Sequence, residues 1–316
     1  MESATVYKPS GESGNAMVLV PLFAIPLSLI LSIVYAYISV YNPLIGVISF
    51  LLPLGFGALF GFGLTSAVTL AKCRNPQLVL LTCSAATLFV MYCVWACFIY
   101  VFLDHINSPV PLTTVFLDPG GIFAAMSQIA AVGWYTVKGA TPSGIVLWIF
   151  WLCEAGMIGY LAVSMPFSHV KETLFCEDCN DWCPAKKDLA RYVPTSETAK
   201  TARIKSGDLT VLAELTPATV TAPIYMRLDS QRCGKCSRTS TFQLSQITIT
   251  KDKNGKPQEK VEKLTELVIL TPDSLTKLQN ALVKQASAPT PAAPPPTPLA
   301  PPASTDSTPP APDGPA

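Results

Sequence analysis

Five cysteines in the second half of the chain are the residues best suited to chemistry. Cys176, Cys179 and Cys183 stand in Phe-Cys-Glu-Asp-Cys-Asn-Asp-Trp-Cys, and Cys233 and Cys236 in Arg-Cys-Gly-Lys-Cys. Two Cys-x-x-Cys knuckles held apart by a polar segment are what a four-thiolate zinc site requires, because each offers two sulfurs at tetrahedral spacing. The expected ligands are Cys176, Cys179, Cys233 and Cys236, and the expected ion is structural zinc. Four bound sulfurs leave no open position for water or substrate, which argues against a hydrolytic centre. Cys183 is a fifth sulfur for a four-coordinate ion, either replacing Cys179 or standing by beside Trp182. A redox role for the knuckles needs a βαβ context that neither flank shows. His169 lies too far before the cluster to be a favoured ligand.

The rest of the chain reads as a membrane anchor. Half of the 316 residues are apolar and only 14% are charged, with a net charge of +1 that gives no reason to expect a nucleic-acid partner. No Asp, Glu, Lys, Arg or His falls between Glu12 and Lys72, nor between Arg74 and Asp104. Such gaps exceed the ~20 residues that cross a bilayer. Residues 1–16 form an N-terminal segment without the basic start of a signal peptide. Residues 17–168 form the membrane domain, with spans at about 17–41, 44–71, 77–103 and 144–165. Pro21 and Pro26 fall near the start of the first span, and Asn42-Pro43 breaks the first pair into a hairpin.

Asp118-Pro119 starts a further helix, an N-cap followed by proline at the first helical position. It runs from about 119 to 137, too short to span, and Trp134 and Tyr135 suit an interface. The expectation is therefore four spans plus one interfacial helix. Lys8, Lys72, Arg74 and Lys171 then share one side, leaving Lys138 on the other. The positive-inside rule places both termini and all five clustered cysteines in the cytoplasm, where a disulfide is disfavoured.

Two features within the spans invite functional readings. Glu154 lies near the middle of the fourth span, where an ionisable group is costly and usually faces the bundle interior. A relay needs more than one station, and no second acid or base lies at that depth, so a packing role is the better reading. Gly57 and Gly61 form a GxxxG pair that admits another helix closely. A partner within the chain is expected. The cysteines in or beside the spans (Cys73, Cys83, Cys93, Cys97 and Cys153) are expected to act as small apolar residues.

Residues 169–285 are enough for one small α+β domain. A short helix is expected from Thr195 to Lys205, stopped by Gly207, then a helical turn or two from Asp208 to Leu215. Strand character begins at Ile224, and Phe242 to Thr250 alternates apolar and polar as a half-buried strand does. Asn254-Gly255 marks a tight turn, with Leu264 to Leu270 as the returning strand. Thr271-Pro272-Asp273 caps a last helix to about Lys284. Residues 286–316 hold 12 of the chain's 29 prolines and no basic residue. They read as a disordered Pro/Ala-rich tail.

A knuckle at a strand entry followed by a β-hairpin resembles the zinc-ribbon class, and Cys176, Cys179, Cys233 and Cys236 match the positions of its ligands. The resemblance covers only knuckles and hairpin. The 53 residues between Cys179 and Cys233 exceed ribbon spacing and imply an inserted helical piece. Several spans followed by such a domain also resemble a type of uncharacterised bacterial membrane protein, a likeness that brings no activity with it.

No catalytic signature accompanies these features. The expected role is non-enzymatic: a membrane protein, embedded in lipid, whose cytoplasmic zinc-ribbon-like domain engages a cytoplasmic protein or organises an assembly. Two other readings stand beside it. One is a small transporter or ion-coupled protein that uses Glu154. The other is a tethered redox or metal sensor that uses Cys183 as a swing ligand.

Overall fold

The computed structural model describes residues 5–41, 47–133, 141–195, 197–205, 208–218, 222–253 and 255–270, together with 276 and 280. Four of its helices are long and apolar enough to cross a membrane. They are α1 (Ala16–Tyr41), α2 (Val47–Leu70), α3 (Pro76–His105) and α6 (Ile145–Glu172). Two short helices, α4 (Leu112–Phe116) and α5 (Pro119–Val132), lie between α3 and α6 in sequence. The cap residues act as their types predict. Asn75 accepts from Leu78 N at 3.0 Å to start α3, and Asp118 accepts from Gly121 N at 2.8 Å to start α5. Expectations resting on Asn42-Pro43 and on Trp134, Tyr135 and Lys138 fall outside the described residues.

The long helices form a four-membered ring in which α1 packs on α3, α3 on α6, α6 on α2 and α2 on α1. Leu22, Ile30, Phe62, Leu81, Leu88 and Leu152 are exposed on its outside. Such an apolar exterior suits a hydrocarbon surround. The glycine pair brings α2 onto α6 rather than onto a sequence neighbour. A Cβ on Gly57 would lie 2.9 Å from Ile158 Cα, and one on Gly61 2.7 Å from the Leu161 carbonyl. The partner is thus inside the chain, and backbone contact this close needs glycine.

α6 continues two turns past its expected end near Met165, and those turns lead straight into the cysteine domain. The domain is built from β1 (Phe175–Cys176), β2 (Asp181–Trp182), β3 (Ala185–Tyr192), α7 (Thr198–Lys205), a 3₁₀ turn (Leu209–Glu214), β4 (Ile224–Arg232), β5 (Ser240–Lys251), β6 (Pro257–Lys263) and β7 (Val268–Ile269). β1 and β2 pair only with each other. The main sheet runs β3-β4-β5-β6, all antiparallel, with β7 on β5 beyond the end of β6. Tyr192, Leu212, Leu228, Phe242, Leu244, Val268 and Leu270 form its apolar core.

Three expectations need correction. Of the expected Leu264–Leu270 only Val268–Ile269 is a strand, which also pairs with β5, and the strand that returns directly from the Gly255 turn is Pro257–Lys263, with Lys251 opposite Pro257. Its residues are exposed because it is a charged edge strand. The apolar residues that follow add the short β7 to β5, with Val268 opposite Phe242, and also pack into the core. The segment between the knuckles is not purely helical, since β3 forms the other edge of the sheet. α7 starts at Thr198 rather than Thr195.

The N-terminal segment also joins this domain. Val6 bridges Val268, Tyr7 N donates to Leu267 O at 2.7 Å, and Ile269 N donates to Thr5 O at 2.9 Å. The segment before α1 and the cysteine domain therefore lie at the same end of the bundle. Gly207, Asn254, the helix expected up to Lys284 (apart from Thr276 and Asn280) and the 286–316 tail lie outside the described residues.

Candidate metal centre

The second knuckle occupies the turn of the β4–β5 hairpin. Arg232 and Ser240 form the last ladder pair, and Cys233 N closes the turn by donating to Thr239 O at 2.9 Å. The first knuckle is itself a small hairpin. Phe175 pairs with Trp182 and Cys176 with Asp181, and Cys183 N donates to Leu174 O at 2.8 Å. In each knuckle the residue after the second cysteine takes a left-handed backbone, Asn180 at φ 48° and Ser237 at φ 57°. That conformation turns the chain sharply back beside the sulfurs, and asparagine tolerates it better than serine.

These two turns bring together the Sγ atoms of Cys176, Cys179, Cys233 and Cys236, all within 4.8 Å of one another. Cys176 Sγ and Cys236 Sγ are 3.7 Å apart. A tetrahedral ion with metal–sulfur bonds of about 2.3 Å sets its sulfurs about 3.8 Å apart, so the spacing fits. Cys176 and Cys233 are buried, while Cys179 and Cys236 form the half-exposed rim. Thr239 Oγ1 lies 3.3 Å from Cys176 Sγ. Lys235 pairs with Asp181 at 2.8 Å and Arg238 with Asp178 at 3.7 Å, linking the two turns across the site. Such exposed pairs contribute little energy, but they place two cations beside four sulfurs.

The backbone prepares the second knuckle for negative charge. As a free thiol Cys236 is pulled down to about 6, chiefly by the backbone N–H of Arg238 and then that of Thr239. Cys233 is also lowered, by the N–H groups of Cys236 and Lys235. Cys179 is pushed the other way, to about 12, first because it shares a hydrogen bond with Cys236 and then by burial. Amide donors aimed at sulfur stabilise the thiolate, which is the form that ligates a metal.

Cys183 stands against the site rather than within the quartet. It is 2% exposed and packs with Leu174, Cys176 and Cys233. Burial is the main cause that pushes its thiol up to about 12. His169, set aside as a ligand, shares a hydrogen bond with Thr69 Oγ1 at 3.0 Å and faces the Trp182 ring. Glu154 is half-buried in α6 with Tyr35 of α1 as an electrostatic neighbour, and it precedes the first clustered cysteine, Cys176, by 22 residues.

Residues that the spacing argument missed hold the site in place. Gln231 accepts from Leu174 N at 2.6 Å and donates to Glu172 O at 2.7 Å, tying the approach to the first knuckle onto β4. Tyr7 OH accepts from Phe175 N at 3.2 Å. Both are long-range contacts of ordinary polar residues, and nothing in their local sequence marks them. Comparison with known proteins finds no matching family, no matching curated protein and no similar solved structure.

Proposed function

We propose that this chain is a multi-pass membrane protein presenting a structural zinc domain to the cytoplasm, where the domain docks a protein partner or organises an assembly without catalysis. The observation that carries the reading is the convergence of Cys176, Cys179, Cys233 and Cys236 within 4.8 Å from two separate turns. Two knuckles, one in the turn of an antiparallel hairpin, resemble the zinc-ribbon arrangement. Four sulfurs close the coordination sphere, so the ion braces the fold and offers no reaction centre. Lys72, Arg74 and Lys171 flank the bundle at the end that carries the domain, and the positive-inside rule assigns that end to the cytoplasm. A reducing compartment keeps the thiols available for metal.

The test uses the full chain in detergent, because Thr5, Val6 and Tyr7 complete the domain's sheet. Elemental analysis is expected to find one zinc per chain, and none after Cys176→Ser or Cys233→Ser. A purified chain without zinc, or zinc retained in both variants, overturns the site. Iron in place of zinc overturns the choice of ion, since tetrahedral thiolates accept both. Capture of a cytoplasmic protein by the zinc-loaded chain, lost in Cys233→Ser, is the expected interaction result. Capture that is equal in both forms separates the interaction from the metal.

A further inference from the structure

The first knuckle has two working sides. Cys176 and Cys179 face the metal site, while the residues alternating with them hold the short connection between α2 and α3. Glu177 binds Arg74 at 2.6 Å, and the Arg74 guanidinium lies 4.3 Å from the centre of the Phe175 ring. Asn180 O accepts from Lys72 Nζ at 2.7 Å. Trp182 Nε1 donates to Thr69 O at 3.0 Å, and its ring meets both His169 and Phe175. The N-terminal segment closes the connection from the other side, Arg74 N donating to Glu12 O at 2.7 Å and Asn15 N to Ala71 O at 2.9 Å. Cys73 sits in the middle of these contacts with no exposed surface.

We propose that the first knuckle is a metal-set latch. Ion binding seats it on the α2–α3 connection and the end of α6, and ion loss releases that end of the bundle. The proposal rests on the zinc reading above. β1 and β2 contribute two residues each, and so short a hairpin does not hold its shape in water by itself. Gln231 and Tyr7 hold only the approach to this turn, so the ion completes the turn from Phe175 to Trp182, and with it every group that grips Thr69, Lys72 and Arg74. The main sheet has its own core at Leu228, Leu244 and Phe242 and stands without the ion. Because Trp182 bridges Thr69 at the end of α2 and His169 near the end of α6, the latch joins two helices that already pack through Gly57 and Gly61. Metal state is thereby passed to the membrane helices.

Cys73 reports the latch. In the full chain in detergent, a water-soluble maleimide is applied before and after chelation. Modification of Cys73 is read by peptide mass spectrometry, and metal content is measured in parallel. Chelation is expected to speed modification of Cys73 by roughly tenfold or more, with zinc restoring protection, while β4 and β5 amides keep their slow hydrogen exchange. Trp182→Ala is expected to expose Cys73 with zinc still bound. Cys73 that stays protected in metal-free protein, or in Trp182→Ala, overturns the latch alone. Exchange that rises equally in β4 and β5 also overturns it, because the ion then holds the whole domain. A chain that carries no metal as purified removes the zinc reading beneath it.

Discussion

Ile224↔Thr248 through Arg232↔Ser240 form an unbroken ladder of nine pairs that ends in the second knuckle, whereas the first is closed by two pairs alone. The same Cys-x-x-Cys spacing thus rests on a hairpin that is part of a five-stranded sheet in one case and on side-chain ties in the other. One turn is set by backbone pairing before any ion arrives, so its amides can point at sulfur from the outset. The other depends on the ion, on Gln231 and Tyr7, and on the connection between α2 and α3. Ligand spacing sets four sulfurs at the separation that a tetrahedral ion needs. Support decides which half of the site is pre-formed and which half responds to the ion.

The largest expected difference between the knuckles is chemical. After chelation at pH 7.5, Cys236, with its pKa drawn down to about 6 by amides of its own turn, is mostly thiolate, whereas Cys179, freed with the first knuckle from its hydrogen bond to Cys236, behaves as an ordinary thiol. The thiolate excess is partly offset because a less basic sulfur is a weaker nucleophile. Iodoacetamide labelling of Cys236 is therefore expected to hold its rate between about pH 8 and 7, where that of Cys179 falls by roughly tenfold. A depressed pKa stabilises the folded thiolate above the ordinary thiol value, and that contribution is lost as pH falls through about 6. The rate at Cys236 should fall only over that lower window, as pH approaches about 6. A Cys236 rate that falls between about pH 8 and 7 as steeply as that of Cys179 breaks the claim that the second knuckle alone is primed.

A smaller effect tests the support of the first knuckle. Gln231→Leu removes the acceptor of Leu174 N, a group next to the buried core of the site, and the donor to Glu172 O. Leaving a buried amide unmet costs about 1–3 kcal/mol. Hydrogen exchange of residues 174–182 in the zinc-loaded chain is expected to quicken by roughly tenfold to a hundredfold. Residues 233–239 should change little, because the β4–β5 ladder holds their turn. Acceleration shared equally by both segments means that the knuckles open as one unit, and the contrast between them fails.

Which parts were legible in the sequence follows the same division. The clustering cysteines and the four long helices are local or compositional signals, Cys-x-x-Cys in one case and uncharged apolar runs in the other. β3 was not legible, because Ala-Lys-Lys-Asp-Leu-Ala-Arg-Tyr has helix-forming residues and becomes a strand only by pairing Tyr192 with Met226 and Arg191 with Arg227. β6 was hidden by its charge, since an edge strand with Glu259, Lys260, Glu262 and Lys263 has no apolar face to announce it. The pairing of Val6 with Val268 spans nearly the whole chain, and no window of sequence contains both. Hydrophobic pattern locates elements that bury a face, and it says little about strands fixed by their neighbours or about polar residues that hold a turn in place.

The smallest expected effect separates the two turns by their backbones. Ser237 and Asn180 both carry left-handed φ values after the second cysteine of a knuckle. That conformation costs an ordinary residue about 1–2 kcal/mol, asparagine less and glycine nearly nothing. Glycine also gains freedom in the unfolded chain, which takes back about 0.4–1 kcal/mol. Ser237→Gly is therefore expected to gain about 0.5 kcal/mol and slow zinc loss to a chromogenic chelator by roughly twofold. Asn180→Gly is expected to leave that rate unchanged or raise it slightly, since there is less strain to relieve and a more flexible turn to order. If Asn180→Gly slows zinc loss more than Ser237→Gly, the first turn is the strained one, and the ion must be holding it against its backbone preference.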